Sequence, residues 1–458
     1  MMQITHPAMR RAPASNESQP KRRRRTVPGV WALLGIAALS SAFAQDASMP
    51  ADHGSLTAEA LVTAVLRRNP SLEAQRAAMA EAAARIKTAG SLDDPMLSMA
   101  VAPGTLGNAT GFREDVEVSQ ALPWWGTLDA RAAAARSSAD AAQEDVQSLA
   151  LRVRALAQSA FADWWYVHRA IAINRRHLLL YGELRESAKA RFAAGLAPEQ
   201  DVLQADVERT MLRQQALELA QQRSAIQAGI DALLDRPGDT SVPLPGALPR
   251  LPTLQPLAAL LAYALAQHPQ VRALQFQERA AEAQIALAQK ARFPSFAVNA
   301  GYDSMWDNAS MRPMIGVSIN VPLDQGKRRS EIDAARAGAR RVQASLADVD
   351  ARLGGDLTAA YTAVEQVQAS LALYRDQLDP LADSTLAVAR SEYSAGRSDF
   401  LDVIEAERRD LDAQLGLART EAMLFKRQAQ LGRLAGTSLP VEIPRTGRAF
   451  DADQAPRE

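Results

Sequence analysis

Apolar residues recur at helical spacing from Leu56 to about Ala89, in two pieces divided at Asn69-Pro70. The division is expected because a residue before proline avoids helical backbone angles. Pro70 suits the first turn of the second piece. The period then changes to two. From Pro95 to Gly104 and from Arg113 to Pro123 the chain alternates, with Val116, Val118 and Leu122 on one face and Asp115, Glu117, Ser119 and Ala121 on the other. A second alternating pair is cleaner. Phe296, Val298, Ala300 and Tyr302 oppose Ser295, Asn299, Gly301 and Asp303, and Ile315, Val317, Ile319 and Val321 oppose Gly316, Ser318 and Asn320. Each run predicts a strand of about ten residues with two unlike faces.

Each strand pair leads into a very long helical pattern. The first runs from Thr127 to Arg191 with no proline and one internal glycine, Gly182. At 1.5 Å per residue, it predicts a helix of about 98 Å, too long for one compact core. Its counterpart, Lys327 to Ser394, contains Gly354-Gly355 and Pro380, where a kink or break is expected. Gly195 and Gly396 follow the two patterns as turn residues that end helices. Return helices are expected at about Glu199–Leu234 and Asp399–Leu434, opened by Pro198 and by Ser398-Asp399. The long elements are thus helical hairpins.

The two halves say the same thing. Pro70, Pro95 and Pro123 recur 199 positions later as Pro269, Pro294 and Pro322, and Arg191-Phe192-Ala193-Ala194-Gly195 answers Glu392-Tyr393-Ser394-Ala395-Gly396 at 201. Solenoid units run to roughly 50 residues, so this period marks a duplicated half-protein. The expected organisation is a first repeat at 56–236, a connector at 237–256 with six prolines, a second repeat at 257–436 and a disordered tail at 437–458.

Composition changes the picture at the N-terminus. Lys21-Arg22-Arg23-Arg24-Arg25, the apolar stretch from Val30 to Leu39, and Ala42-Phe43-Ala44 follow the order of a secretory signal peptide. Cleavage after Ala44 is expected, leaving a short linker at 45–55. Removing residues 1–44 takes away seven Lys/Arg and one Glu, so the neutral precursor becomes a chain of net charge −6, and no nucleic-acid partner is expected. The 458 residues contain no cysteine, which excludes disulfides, a thiolate metal site, a cysteine nucleophile and a lipidated N-terminal cysteine. No nucleophile motif, phosphate loop or catalytic dyad is present, so neither an enzyme nor a cofactor is expected.

Ten-residue strands with one apolar face fit tilted transmembrane strands. A half-buried hairpin of a soluble domain alternates equally well, but four such strands in two matching hairpins of an exported chain favour the membrane. Four strands cannot close a barrel, and an open edge in lipid leaves backbone groups unpaired. Two, three or four chains would supply 8, 12 or 16 strands. The long hairpins must then pack side by side and continue the barrel as a helical tube.

The asparagine-proline or histidine-proline helix start, Ser119-Gln120-Ala121-Leu122-Pro123 before a glycine, and the glycine-ended hairpins resemble the TolC-type outer-membrane efflux proteins over nearly all of 56–436. The resemblance implies a homotrimer with a twelve-stranded barrel in outer-membrane lipid and a helical tunnel in the periplasm of a Gram-negative bacterium. It also implies two partners: a periplasmic adaptor (membrane fusion protein) and an inner-membrane pump of the resistance-nodulation-division (RND) type. Leu92-Asp93-Asp94-Pro95-Met96-Leu97 and Trp124-Trp125-Gly126 look most like the heavy-metal cation branch. The expected function is therefore the exit duct of a metal-cation pump. Alternatives are the same channel for drug efflux or protein secretion, and a soluble periplasmic coiled-coil adaptor without a pore.

In that family the tunnel closes at the periplasmic tip. The matching positions here are Asp402 and Glu405, three apart and hence on one helix face, with Asp201 on the first hairpin and Tyr393 beside Gly396. Arg390 and Arg397 are candidate locking partners. Trp124 and Trp125 fall at the strand-to-helix junction, where aromatics favour a membrane interface. Met96, Met99, Met305, Met311 and Met314 gather near the strands, but they read as wall and loop filler rather than metal ligands. His168 and His177 are nine apart and fall on different helix faces, so no metal site is expected.

Overall fold

The computed structural model describes residues 54–101, 113–250 and 253–437. The expected leader at 1–44, the outer end of the first strand pair toward Gly104, and the tail from 438 lie outside the described residues. Helix α1 (Ala58–Arg68) stops at Asn69, which caps α2 (Pro70–Ala89) by accepting the Leu72 N–H at 3.3 Å. In the second half, α5 (Leu257–Gln267) stops at His268, whose Nδ1 accepts the Gln270 N–H at 3.2 Å before α6 (Pro269–Lys290). Different side chains therefore perform one capping role at one repeated place.

Strands β1 (Met96–Val101), β2 (Glu114–Leu122), β3 (Ser295–Asp303) and β4 (Pro313–Asn320) form one antiparallel sheet in chain order. The two hairpins meet through β2 and β3, and the register aligns their faces. Leu97 pairs with Val118, Val118 with Ala300, and Ala300 with Ile315, so the apolar positions form one continuous side. That side is largely uncovered among the described residues: Ile315 is 87% exposed and Val317 64%. The opposite side carries Asp115, Glu117, Ser119, Asn299, Asp303, Ser318 and Asn320. There the Ser119 hydroxyl donates to Asn299 Oδ1 at 2.9 Å, and Asn299 Nδ2 donates to Ser318 Oγ at 2.8 Å.

From Gly126, whose φ of 70° suits glycine, α3 (Thr127–Ala193) runs 67 residues, about 100 Å. Its buried positions Val153, Ala157, Phe161, Trp164, Val167, Ala170, Asn174, His177 and Tyr181 recur close to every 3.5 residues. That is the heptad period of a left-handed coiled coil, so one seam stays against its neighbours along the rod. Helix α4 (Glu199–Leu233) returns along α3, and α9 (Phe400–Ala435) packs on it from the second half. Toward the hairpin turns Tyr181, Ala188, Ala205, Leu212, Tyr393, Phe400, Val403 and Ile404 share one apolar cluster. At the other end Leu260, Val271, Leu357, Val364, Leu431 and Leu434 share another, beneath α5 and α6. Among the described residues no helix is long and apolar enough to cross a membrane.

The second outgoing helix corrects one expectation. α7 (Gln325–Leu373) passes through Gly354-Gly355 unbroken, because both glycines lie in the middle of a regular hydrogen-bond ladder with open space beside them. The irregularity sits before Pro380 instead. Tyr374–Leu378 widens to a π turn and leads directly into α8 (Asp379–Ser394). Proline cannot donate to the ladder, and its ring crowds the carbonyl four residues earlier, so one wider turn accommodates both demands.

Gly416 of α9 faces this turn: a Cβ there would collide with the Tyr374 ring. Gly416→Ala is expected to lower the thermal unfolding midpoint of the detergent-purified protein, because overpacking outweighs the roughly 1 kcal/mol that alanine gains over glycine in a helix. In a Tyr374→Ala background the same change is expected to raise it.

Candidate functional site

The hairpin turns place the predicted tip residues together without making them equivalent. Gly195 and Gly396 both adopt left-handed angles, with φ of 70° and 72°, and each turn is closed by backbone bonds to the preceding helix. Across the turns, the Arg191 guanidinium lies 4.7 Å from the Tyr393 ring centroid and donates to the Tyr393 carbonyl oxygen at 3.2 Å. Tyr393 also packs on Phe400, with ring centroids 5.4 Å apart. Its buried hydroxyl has no hydrogen-bond partner among the described residues. Asp201, half-buried nearby, has its carboxyl pushed above the ordinary aspartate range by burial, with Arg191 opposing and Asp399 adding to the rise.

Asp402 and Glu405 sit on the exposed face of the first turns of α9. Asp402 Oδ2 accepts the Asp399 N–H at 3.2 Å, so this acid also caps its helix. Glu405 pairs with Arg409 at 3.0 Å, one turn along. Arg397 makes two bonds to Glu392, at 2.6 and 2.8 Å, within its own turn. Arg390 turns inward and pairs with Glu407, whose side chain is fully buried.

Glu407 belongs to a group absent from the sequence expectations. His177 of α3 lies between two acids of α9, with Nδ1 3.3 Å from Glu407 Oε2 and Nε2 3.6 Å from Asp410 Oδ2. One nitrogen of His177 and one oxygen from each acid lie within 4.8 Å of one another, and all three residues are buried. The amide of Gln414 donates to both Asp410 oxygens, at 3.1 and 3.0 Å. Beside the cluster Arg408 reaches Glu208 of α4, with Nε 3.1 Å from Oε2. Burial and the nearby Glu208 and Glu407 charges push the Tyr181 phenol far up.

At the sheet-to-helix junction Trp124 stacks on Phe293 at 4.9 Å and meets Trp125 edge-on at 4.8 Å, while Phe296 joins from β3. Trp125 is 71% exposed, and its carbonyl accepts from Lys290 Nζ at 3.1 Å.

A four-stranded sheet with a bare apolar side, carried on helical hairpins about 100 Å long, is shared with known proteins. Residues 260–437 match the model of the outer membrane efflux protein family. Over that stretch the chain is similar to the TolC-type outer-membrane efflux proteins. Nodulation protein T of Rhizobium leguminosarum bv. viciae is 25% identical over 343 residues, covering 72% of this chain and 70% of that protein. The outer-membrane channel OprN has the same fold, with a TM-score of 0.72 at 20% identity over 83% of this chain and 90% of that one. VceC of Vibrio cholerae aligns with a TM-score of 0.69 at 19% identity, over 83% of this chain and 96% of that one. This efflux protein therefore sits in the outer membrane of a Gram-negative cell with its helical hairpins in the periplasm, and the soluble adaptor alternative is set aside.

Two residues of this efflux protein escaped the sequence reading. Arg191 was legible as the counterpart of Glu392 at a spacing of 201, a basic residue facing an acidic position in the duplicate. His177 was weighed only against His168, whereas its partners lie about 230 positions away. The visible signal was the pair Glu407 and Asp410, charged residues three apart on the same stripe as Val403 and Ile404.

The raised carboxyl of Asp201 fixes a sign. An acid whose folded pKa lies above its unfolded value destabilises the folded state as it ionises, so stability falls as pH rises from the ordinary aspartate value of 3.8 through the raised one. Asp201→Asn is expected to remove that fall and to raise the unfolding midpoint relative to wild type above this window. Melting curves from about pH 3.5 to 7 measure it.

Proposed function

We propose that three copies of this efflux protein close a twelve-stranded barrel and form the exit duct for heavy-metal cations in a tripartite pump. The observation that carries the reading is the sheet: four strands with two free edges, one exposed apolar side and one side holding Asp115, Glu117 and Asp303. Turned outward, the apolar side meets lipid and needs no other cover. Turned inward, the acids line a passage that favours cations. Trp124 and Trp125 then lie at the level where the barrel meets the periplasmic helices, the position aromatic residues favour at a membrane interface.

At the far end, threefold symmetry turns Asp402 and Glu405 into rings of six carboxylates, which attract cations and repel anions. Tyr393, Asp201 and Arg390 hold the two hairpins in their resting arrangement, and the tip opens when a periplasmic adaptor and an RND-type pump dock on it. The duct itself is passive. Metal cations are the substrate class favoured by the acids on both passages and by the Asp94-Pro95-Met96-Leu97 stretch at the start of β1.

A deletion strain with and without the restored gene, grown across copper, silver, zinc, cobalt and cadmium and across dyes and antibiotics, tests the substrate. Sensitivity confined to metals is expected. Sensitivity to dyes and antibiotics would keep the duct and overturn the metal assignment.

A further inference from the structure

Buried charge in the wall of the helical hairpins is left unbalanced at one place. Glu407 has Arg390 as its counter-ion, whereas among the described residues Asp410 accepts hydrogen bonds from the neutral amide of Gln414 and has His177 Nε2 3.6 Å away. A buried carboxylate needs a cation or a proton. Both ring nitrogens of His177 and the second oxygen of Glu407 are fully buried, and among the described residues none has a hydrogen-bond partner. One imidazole and two carboxylates thus lie together, with one ligand atom of each within 4.8 Å of the others.

We propose that His177, Glu407 and Asp410 bind a zinc-class divalent cation that joins α3 to α9. Imidazole with carboxylate oxygens suits zinc, cobalt and nickel rather than the softer cuprous or silver ions. Ligands about 2.0–2.1 Å from a tetrahedral centre stand roughly 3.3 Å apart. The 3.3 Å between His177 Nδ1 and Glu407 Oε2 matches that spacing, and one nitrogen of His177 and one oxygen of each acid lie within 4.8 Å of one another. A cavity of about 260 Å³ lies between α3, α8 and α9, with Gln414, the hydrogen-bond partner of Asp410, in its wall.

The consequence is mechanical. His177 lies sixteen residues before the end of α3, about 24 Å from the tip, and its partner acids follow the second turn. A bound cation therefore clasps the first hairpin to the second just behind the residues that must part for the tip to open. Binding does not depend on what the duct exports, so a strain insensitive to metals leaves the site standing.

Untagged full-length protein in detergent, stripped with chelator and titrated with Co²⁺, tests the site through the visible bands of four-coordinate cobalt. One cobalt per chain is expected, displaced by Zn²⁺, with at least tenfold weaker binding in His177→Gln and in Asp410→Asn. Zn²⁺ is expected to raise the melting midpoint of the wild type and not of either variant. Absence of a cobalt band in the wild type, or wild-type affinity in both variants, would overturn the proposal and leave the cluster a proton-linked network. Should neither variant fold, zinc X-ray absorption on the wild type decides: imidazole nitrogen in the shell supports the site, and an all-oxygen shell overturns it.

Discussion

A backbone N–H or C=O group in hydrocarbon has no water to bond, and leaving it unpaired costs several kcal/mol. This constraint governs the efflux protein more than any single contact in it. Among the described residues β1 and β4 each pair on one side only, and the apolar side of the sheet finds no partner. Four strands are too few to close on themselves, so the proposed barrel needs further copies to close it and lipid to cover it. The helices inherit that arrangement. Each hairpin of strands feeds a hairpin of helices, and a closed ring of strands would set the helices side by side around a passage.

The helical part meets a different demand. A rod of about 100 Å cannot be stabilised by one core, so α3 spreads its burial along a seam of near-heptad period and exchanges neighbours from end to end. Alanines fill the seam near the start of α3, which lets helices approach closely, and Phe161, Trp164 and Tyr181 fill it farther along. Polar groups enter that seam at few places. His177, Glu407 and Asp410 are among the most deeply buried of them.

Much of this was legible in the residues. The duplication, the four strands and their faces, the glycine turns and the length of α3 follow from periodicity and from glycine and proline, because each reflects a rule acting within about ten residues. Asn69 and His268 show the limit of identity: unlike side chains cap equivalent helices, and only their position before proline marks them. What escaped depended on distant pairing. Gly354-Gly355 suggested a break that the ladder does not make, because Leu353 and Leu357 anchor that stretch in an apolar cluster while the glycines face open space. The π turn answers Pro380 and is set against Gly416, forty residues on. The His177 cluster joins residues about 230 apart, and no local pattern announces which acid will meet which ring.

The central claim is that the apolar side of the sheet faces lipid and that several chains enclose one passage. Conductance of the purified protein in a planar lipid bilayer tests it most directly. Discrete, cation-selective steps from an oligomer recovered from the outer-membrane fraction are predicted. A monomer that partitions into the soluble fraction and gives no conductance would contradict it.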